Sequence, residues 1–351
     1  MDVFNHSEFD SHEQLVFFNE PQAGLKAIVA IHNTSRGPAL GGCRMYPYAT
    51  EAAALTDVLR LSKGMSYKSA ISGLPLGGGK SIIIGDPRRD KSQVLFEAFG
   101  RCLERLGGRY IVAEDSGTTV EDLRIIASQT QHISGIGERS KPDGGVADGD
   151  PSPATAFGVF QGITAAAEHV FDANSLTGLT VAVQGVGNVG RRLVAHLVEA
   201  GANVVVTDVY PDRVCDVVSA YQVESVEPAA IYSVTADVFA PCALGAVLND
   251  HTISQLRVKI IAGAANNQLG ESRHADSIQR RDICYVPDFA VNAGGVIDIA
   301  GYLAGLSYTQ SMAEVANIYD TVTEVLRLAG DRRQTTLAVA EEIAISRMRI
   351  Q

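Results

Sequence analysis

Two lysines and a carboxylate are the residues whose types and spacing could do chemistry. Lys80 lies in "GLPLGGGKSIIIGDP", Lys68 stands twelve residues earlier in "GMSYKSA", and Asp115 ends the apolar run of "VAEDSGTT". Such a set suits an amino-acid substrate. One lysine can clamp an α-carboxylate as a point charge. The other, its pKa lowered by glycine-rich enclosure and a neighbouring cation so that it loses its proton near neutral pH, can act as a base. Spacing alone leaves open the plainer reading, two ordinary solvated lysines. The glycines before Lys80 also invite comparison with a phosphate loop, GxxxxGK[ST]. The leading glycine of that motif would fall at Leu74, and Gly73 comes one residue too early. The "SIII" that follows predicts a strand, whereas a phosphate loop opens a helix.

A second motif is complete. "GVGNVG" places Gly185, Gly187 and Gly190 in GxGxxG spacing around Val186, Asn188 and Val189, and Asp208 ends the next apolar run 18 residues after Gly190. The glycines permit a tight turn, a close backbone approach to a pyrophosphate, and packing of helix on strand, while the acid can bind both ribose hydroxyls and repel a 2′-phosphate. The expected cofactor is NAD rather than NADP, with Arg213 as the one residue that softens the preference.

These groups need a scaffold. In the first block "LKAIVAIHNT" reads as a strand, "EAAALTDVLRLSKGMSYKSAI" as an amphipathic helix, "SIIIGDP" as a strand, residues 93–106 as a helix and "RYIVAED" as a strand. Residues 137–153, crowded with Gly, Pro and Asp, read as a loop or interdomain joint. Beyond them "LTVAVQ", "NVVVTD", "ADVFAP", "VKIIAG" and "ICYVPD" alternate with helical stretches, which implies a parallel sheet. The expected architecture is α/β with two domains separated by a cleft. Residues 1–140, braced by a C-terminal helix over about 330–351, form a substrate-binding and oligomerisation domain, and residues 141–329 form a doubly wound, Rossmann-type NAD-binding domain. The last helices are expected over 311–329 and 335–349.

Composition narrows the function classes. A net charge of -11 over 351 residues, without a basic block, argues against a nucleic-acid partner and for a small molecule. Five cysteines without a CxxC pair read as reduced thiols, hence a cytoplasmic protein, and no apolar run suggests a membrane span. No histidine or cysteine grouping suggests a metal.

Read together, the blocks "LKAIVAIHNTSRGPALGGCR", "LSKGMSYKSAISGLPLGGGKSIIIGDP", "AEDSGTTVEDL", "PSPATAFGV", "VQGVGNVG", "IIAGAANNQL" and "YVPDFAVNAGGVI" resemble the glutamate, leucine, phenylalanine and valine dehydrogenases, and the leucine branch most of all. The resemblance implies oxidative deamination: an L-amino acid, NAD and water give a 2-oxo acid, ammonium and NADH. It makes Lys80 the base that activates water, Lys68 the carboxylate ligand helped by the backbone at Gly41 and Gly42, and Asp115 the proton shuttle. Thr155, Ala262 and Asn266 would lie along the nicotinamide ribose and ring, with Asn292 near the reacting centre. Relatives of this kind form dimers or octamers, so a homo-oligomer is expected. Glutamate enzymes carry a lysine at the position of Leu40. An unpaired carboxylate buried there costs several kcal/mol, so the side chain bound is expected to be apolar. Leu40, Met65, Ala113, Val291 and Val296 are candidate walls, each equally readable as core. A methylene changes selectivity by only ~1–3 kcal/mol, so an aromatic amino-acid dehydrogenase stays as the alternative, and a dinucleotide-binding homologue without turnover as a remote one. Ser116 and the long joint depart from the leucine-enzyme pattern.

Overall fold

The computed structural model describes residues 3–243 and 245–349. The chain forms two compact units, Met1–Asp150 with Ile299–Thr309 and Ala344–Gln351, and Pro151–Asp298 with Gln310–Ile343.

The first unit is built on a five-stranded sheet. Its strands are β1 (Gln14–Glu20), β2 (Leu25–Asn33), β3 (Ala39–Tyr46), β4 (Gly77–Ile84) and β5 (Tyr110–Glu114), in the order β1-β2-β4-β3-β5. The pairs β1/β2 and β2/β4 are antiparallel, while β4/β3 and β3/β5 are parallel. Helix α1 (Glu51–Ile71) covers one face through Ala54, Leu55, Val58 and Leu59, packed on Ile28, Ala30 and Ile82. Helices α2 (Gln93–Glu104) and α3 (Val120–Ala127) cover the other, where Phe96, Phe99, Leu123 and Ile126 meet Val29, Ile31, Met45 and Val112.

The helix expected from periodicity is α1 residue for residue. It begins where Thr50 Oγ1 accepts from the Ala53 amide at 3.1 Å, and Gly73 turns the chain out of it with φ +69°. Its small buried residues Ser62, Ser66, Ser69 and Ala70 let it lie close on the sheet. A Cβ at Gly78 would stand 2.0 Å from the Ser66 amide nitrogen. This closeness corrects one boundary: the strand read as starting at Ser81 starts at Gly77. Glycine is a poor strand former, but β4 is central and paired on both sides, so its ladder outweighs local propensity. Lys80 therefore stands inside a strand. Strands β1 and β3 are not evident from the sequence; β3 contains Gly41 and Gly42, which mask its apolar alternation.

On the α1 side, His32 Nδ1 lies 2.8 Å from Ser66 Oγ, and His12 Nε2 lies 3.0 Å from Ser62 Oγ. The two rings are 4.8 Å apart, with Asp10 and Lys63 as the other charges nearby. Burial first, then His12, pushes His32 down from 6.5 to about 4. A base with a depressed pKa folds best when neutral. Its contribution is complete above 6.5, is lost as pH falls toward 4, and is worth about 3 kcal/mol by linkage. Thermal melts of the wild type are expected to drop steeply across that window, and those of His32→Gln to be flatter.

The second unit begins with α4 (Ser152–Phe171), after a small hairpin of β6 (Arg139–Ser140) and β7 (Val146–Ala147) that ends the first. Then follow β8 (Thr180–Gln184), α5 (Asn188–Glu199), β9 (Asn203–Thr207), α6 (Pro211–Tyr221), β10 (Glu224–Ser225), β11 (Val238–Pro241), α7 (Asp250–Gln255), β12 (Ile260–Ile261), α8 (His274–Gln279), β13 (Cys284–Tyr285) and α9 (Asp288–Val291). The six strands pair in parallel in the order β10-β9-β8-β11-β12-β13. This is a doubly wound sheet whose order reverses beside β8. The chain ends with α10 (Gly294–Leu303), α11 (Tyr308–Ala316), α12 (Ile318–Arg332) and α13 (Thr336–Arg349).

Helix α4 is not evident from the sequence because it is apolar on several sides. Gly158 and Gly162 admit Ile318 and Val291 so closely that a Cβ would meet them at 2.5 and 2.3 Å. The stretch expected as one helix over 311–329 is two, broken at Asn317. The unit limits also differ from the expected ones: residues 141–150 and 299–309 belong to the first unit, and of α13 only the end returns to it. Val339 and Ala340 are buried and Thr336 Oγ1 donates to Tyr285 O at 2.5 Å, which holds the front of α13 in the second unit. At the rear, Arg36 Nη1 donates to Arg347 O at 2.9 Å and Arg347 donates to Ile71 O. Positions 350 and 351 lie outside the described residues. Among the described residues no helix is long and apolar enough to cross a membrane.

Candidate active site

Strand alternation sorts the first-unit residues. Lys80 shares the α1 face of the sheet with Gly78 and Ile82, and the register Leu40↔Gly78, Leu40↔Ile111 and Gly42↔Ala113 puts Leu40, Gly42 and Ala113 on that same face. Leu40 and Ala113 are buried. Met65 and Lys68, three residues apart on one edge of α1, are half-buried beside Ser66 and Ser69, whose hydroxyls donate to Gly78 O and Gly77 O.

The centre of this face is an ion pair. Lys80 Nζ lies 2.7 Å from Asp115 Oδ2, with the two side chains 7% and 19% exposed. Arg44 Nε reaches the same oxygen at 3.2 Å, and Arg44 Nη1 pairs with Asp57 at 3.0 Å. Tyr48 Oη donates to Asp57 at 2.5 Å, which closes the network. Burial works to raise the Asp115 pKa, but Lys80 and Arg44 outweigh it and hold the carboxyl at about 2. Asp115 is placed by the turn after β5: Thr118 Oγ1 accepts from the Asp115 amide at 3.2 Å and donates to Cys43 O at 2.8 Å. Gly42 makes room, since a Cβ there would stand 2.6 Å from Asp115 Cβ and 3.2 Å from Lys80 Nζ. Gly41 serves packing instead: its Cβ would strike Gly79 O at 1.9 Å.

The sequence does not single out Arg44, Asp57, Tyr48 or Thr118. Arg44 follows Leu40 and Gly42 at steps of two, a signal usable only once β3 is known to be a strand. Glu114 is a further addition. Burial, then Asp150, Asp115 and Asp148, push its carboxyl up to about 7 against the pull of Lys91.

In the second unit the glycine turn joins β8 to α5. Gly185 has φ +92°, and its Cβ would lie 2.8 Å from Ala243 Cβ; at Gly190 a Cβ would strike Gly185 O at 2.0 Å. At Gly187 a Cβ would meet Arg213 Nη1 at 3.6 Å, an ordinary contact, and α5 starts there without a side-chain cap. Val186 is buried, Val189 half-buried and Asn188 exposed. Asp208, at the end of β9, accepts from the Val186 amide at 2.8 Å and from the Tyr210 amide at 3.0 Å. The turn opens at the carboxyl end of β8, beside the reversal of strand order, where open α/β sheets bind ligands. The uncapped helix start, the side-chain-free Gly187 and the adjoining acid fit the pyrophosphate and ribose of a dinucleotide.

Along the same strand ends, Asn292 Nδ2 donates to Ala264 O at 3.0 Å and to Asn266 Oδ1 at 2.9 Å. Its buried Oδ1 has no partner among the described residues, an acceptor that fits an amide donor of the group to be bound. Ala262 is buried just after β12, and Thr155 Oγ1 in the first turn of α4 donates to Pro151 O at 2.9 Å. Val291 lies in this unit packed on Gly162, and Val296 is buried on α10. A separate cavity of about 710 Å³, lined by Phe171, Lys259, Cys284 and Arg333 among others, lies at the opposite, amino ends of β12 and β13. No group of three His, Cys, Asp or Glu among the described residues is placed to hold a metal.

Residues 12–132 match the family model described as Glu/Leu/Phe/Val dehydrogenase, dimerisation domain. Residues 144–210 and 208–327 match the model described as Glutamate/Leucine/Phenylalanine/Valine dehydrogenase. The chain is 50% identical to a leucine dehydrogenase of Bacillus subtilis (strain 168), covering 99% of this chain and 95% of that one. It is 45% identical to a phenylalanine dehydrogenase of Caldalkalibacillus thermarum (strain TA2.A1), covering 99% and 94%. Among solved structures, the L-tryptophan dehydrogenase of Nostoc punctiforme superimposes with a TM-score of 0.81 at 41% identity over 96% of each chain. With both family models matched in order and relatives this similar over nearly the whole length, the chain belongs to the Glu/Leu/Phe/Val dehydrogenase family of amino-acid dehydrogenases.

Proposed function

We propose that the chain catalyses the NAD-dependent, reversible oxidative deamination of an apolar L-amino acid of the leucine, valine or isoleucine type to the 2-oxo acid and ammonium. The observation that supports this most is the buried Lys80–Asp115 pair on the same sheet face as the apolar Leu40 and Ala113. Half identity to a leucine dehydrogenase supports the substrate class, the phenylalanine enzymes being somewhat more distant.

In this reading Lys68 and the Gly41–Gly42 backbone hold the substrate carboxylate. Leu40, Met65 and Ala113 meet its side chain, and a glutamate carboxylate finds no cation at Leu40. Amino-acid dehydrogenases of this family use a nicotinamide dinucleotide. When bound, its ring accepts the hydride from the substrate Cα, which leaves an imine on the substrate. Lys80 takes a proton from the water that attacks the imine carbon. Asp115, 2.7 Å from Lys80, carries a proton to the departing nitrogen, so that ammonium leaves and the 2-oxo acid remains. Gly185–Gly190 receive the pyrophosphate, Asp208 the ribose hydroxyls, and Thr155, Ala262, Asn266 and Asn292 the nicotinamide end. The enzyme works as a cytoplasmic homo-oligomer, a dimer or an octamer.

Initial rates of NADH formation across leucine, valine, isoleucine, phenylalanine, tryptophan and glutamate test the assignment. Branched-chain substrates are expected to give the highest kcat/KM. A preference for glutamate defeats the Leu40 argument, and a preference for an aromatic substrate moves the enzyme to the other branch.

A further inference from the structure

Arg213 stands in the first turn of α6, exposed, and pairs with no carboxylate among the described residues. It is not simply extended into water. Its guanidinium lies over the Tyr210 ring, 4.6 Å from the centroid. The same guanidinium reaches back to the glycine turn, where Nη1 is 3.6 Å from the point a Gly187 Cβ would occupy. A guanidinium held over an aromatic ring by cation–π attraction keeps its N–H donors, which can grip a phosphate with two parallel hydrogen bonds. The neighbouring acid is restrained as well: both oxygens of Asp208 already accept backbone amides, from Val186 and from Tyr210. An acid at the end of this strand favours free ribose hydroxyls, and an arginine beside it accommodates a 2′-phosphate. Here both stand at one site.

We propose that Arg213, held by Tyr210, is a specificity-determining residue that recognises the adenosine 2′-phosphate, so that the chain binds NADP as a second cofactor beside NAD. This rests on the dinucleotide reading of Gly185–Gly190. Asp208 sets the preference for NAD, and Arg213 limits its size. Tyr210 is a positioning residue that acts through Arg213.

Calorimetric titration with 5′-ADP and 2′,5′-ADP separates the two phosphates without recourse to turnover, and titration with NAD and NADP repeats the comparison on the whole cofactors. Removing a charged hydrogen-bonding partner in Arg213→Ala is expected to weaken 2′,5′-ADP and NADP roughly 10- to 100-fold, and 5′-ADP and NAD by a much smaller factor. Arg213→Lys, which keeps the charge without the fork, is expected to fall between, and Tyr210→Leu to shift the same ratio less than Arg213→Ala. Equal losses for the two ADPs place the clamp on the 5′-phosphate they share and overturn the assignment, as does binding of 2′,5′-ADP that is indifferent to Arg213→Ala. A wild-type chain that binds neither NAD nor 5′-ADP overturns the dinucleotide reading itself.

Discussion

Lys80→Met is expected to lower the rate of deamination by about three orders of magnitude, in the range of a positioned general base, while NAD still binds. The amine is the only part of the side chain that reaches Asp115, and the methionine keeps most of its volume in a site where Lys80 is 5% exposed. The loss should therefore appear in kcat. A fall confined to KM for the amino acid moves Lys80 from proton transfer to substrate binding. Dinucleotide affinity, measured by fluorescence titration, is expected to stay near that of the wild type, because the residues assigned to the cofactor belong to the second unit. If the variant turns over at the wild-type rate, the lysine has no part in the chemistry.

Asp115→Asn is expected to have the largest effect on stability. Two cations share the Oδ2 of this carboxylate, Lys80 at 2.7 Å and Arg44 at 3.2 Å. Arg44 keeps Asp57, but Lys80 is left buried without its counter-ion, and breaking a buried pair from one side costs about 3–5 kcal/mol. An amide still accepts a hydrogen bond, so the lower end of that range is expected, read from denaturant midpoints. Protonating the acid is milder than replacing it. With the folded pKa lowered from 3.8 to about 2, the charged carboxylate contributes about 2 kcal/mol. For a depressed carboxylate that contribution is present above 3.8 and is lost as pH falls through about 2, so its titration leaves stability at neutral pH untouched. Acid melts separate this loss from the His32 transition, which begins at 6.5 and is over by about 4. Turnover of Asp115→Asn is expected to fall with the proton relay, and an unchanged kcat removes Asp115 from that relay.

Much of the scaffold was legible in the residue order because local and global preferences agree there. Helix α1 shows its buried stripe, and β8, the glycine turn, α5, β9 and Asp208 follow in the order a dinucleotide unit requires. Legibility failed where tertiary packing overrides local preference. Helix α4 is buried on several sides and so lacks a stripe, and β4 is a strand although it opens with three glycines. The same failure hid Arg44 and Asp57, since without β3 as a strand no rule places residue 44 on the face of Lys80.

Residue types and order by themselves determined the two-domain α/β class, the dinucleotide fingerprint and the candidacy of Lys68, Lys80 and Asp115. These are properties of short windows, set by periodicity, turn chemistry and the charge of single side chains. Only the tertiary structure decided what the glycines of "GLPLGGGK" are for. Gly78 admits α1 to within contact of β4, Gly77 lies against Asn33 O and Gly79 against the Tyr110 ring, and with the helix seated the alternation of β3, β4 and β5 turns Leu40, Lys80 and Ala113 to one side and sets Asp115 against the lysine. That pair joins residues 35 positions apart, one in and one just after strands that come to flank β3 only in the folded sheet. Its partners, depth and charge state follow from register and burial, which no local window contains.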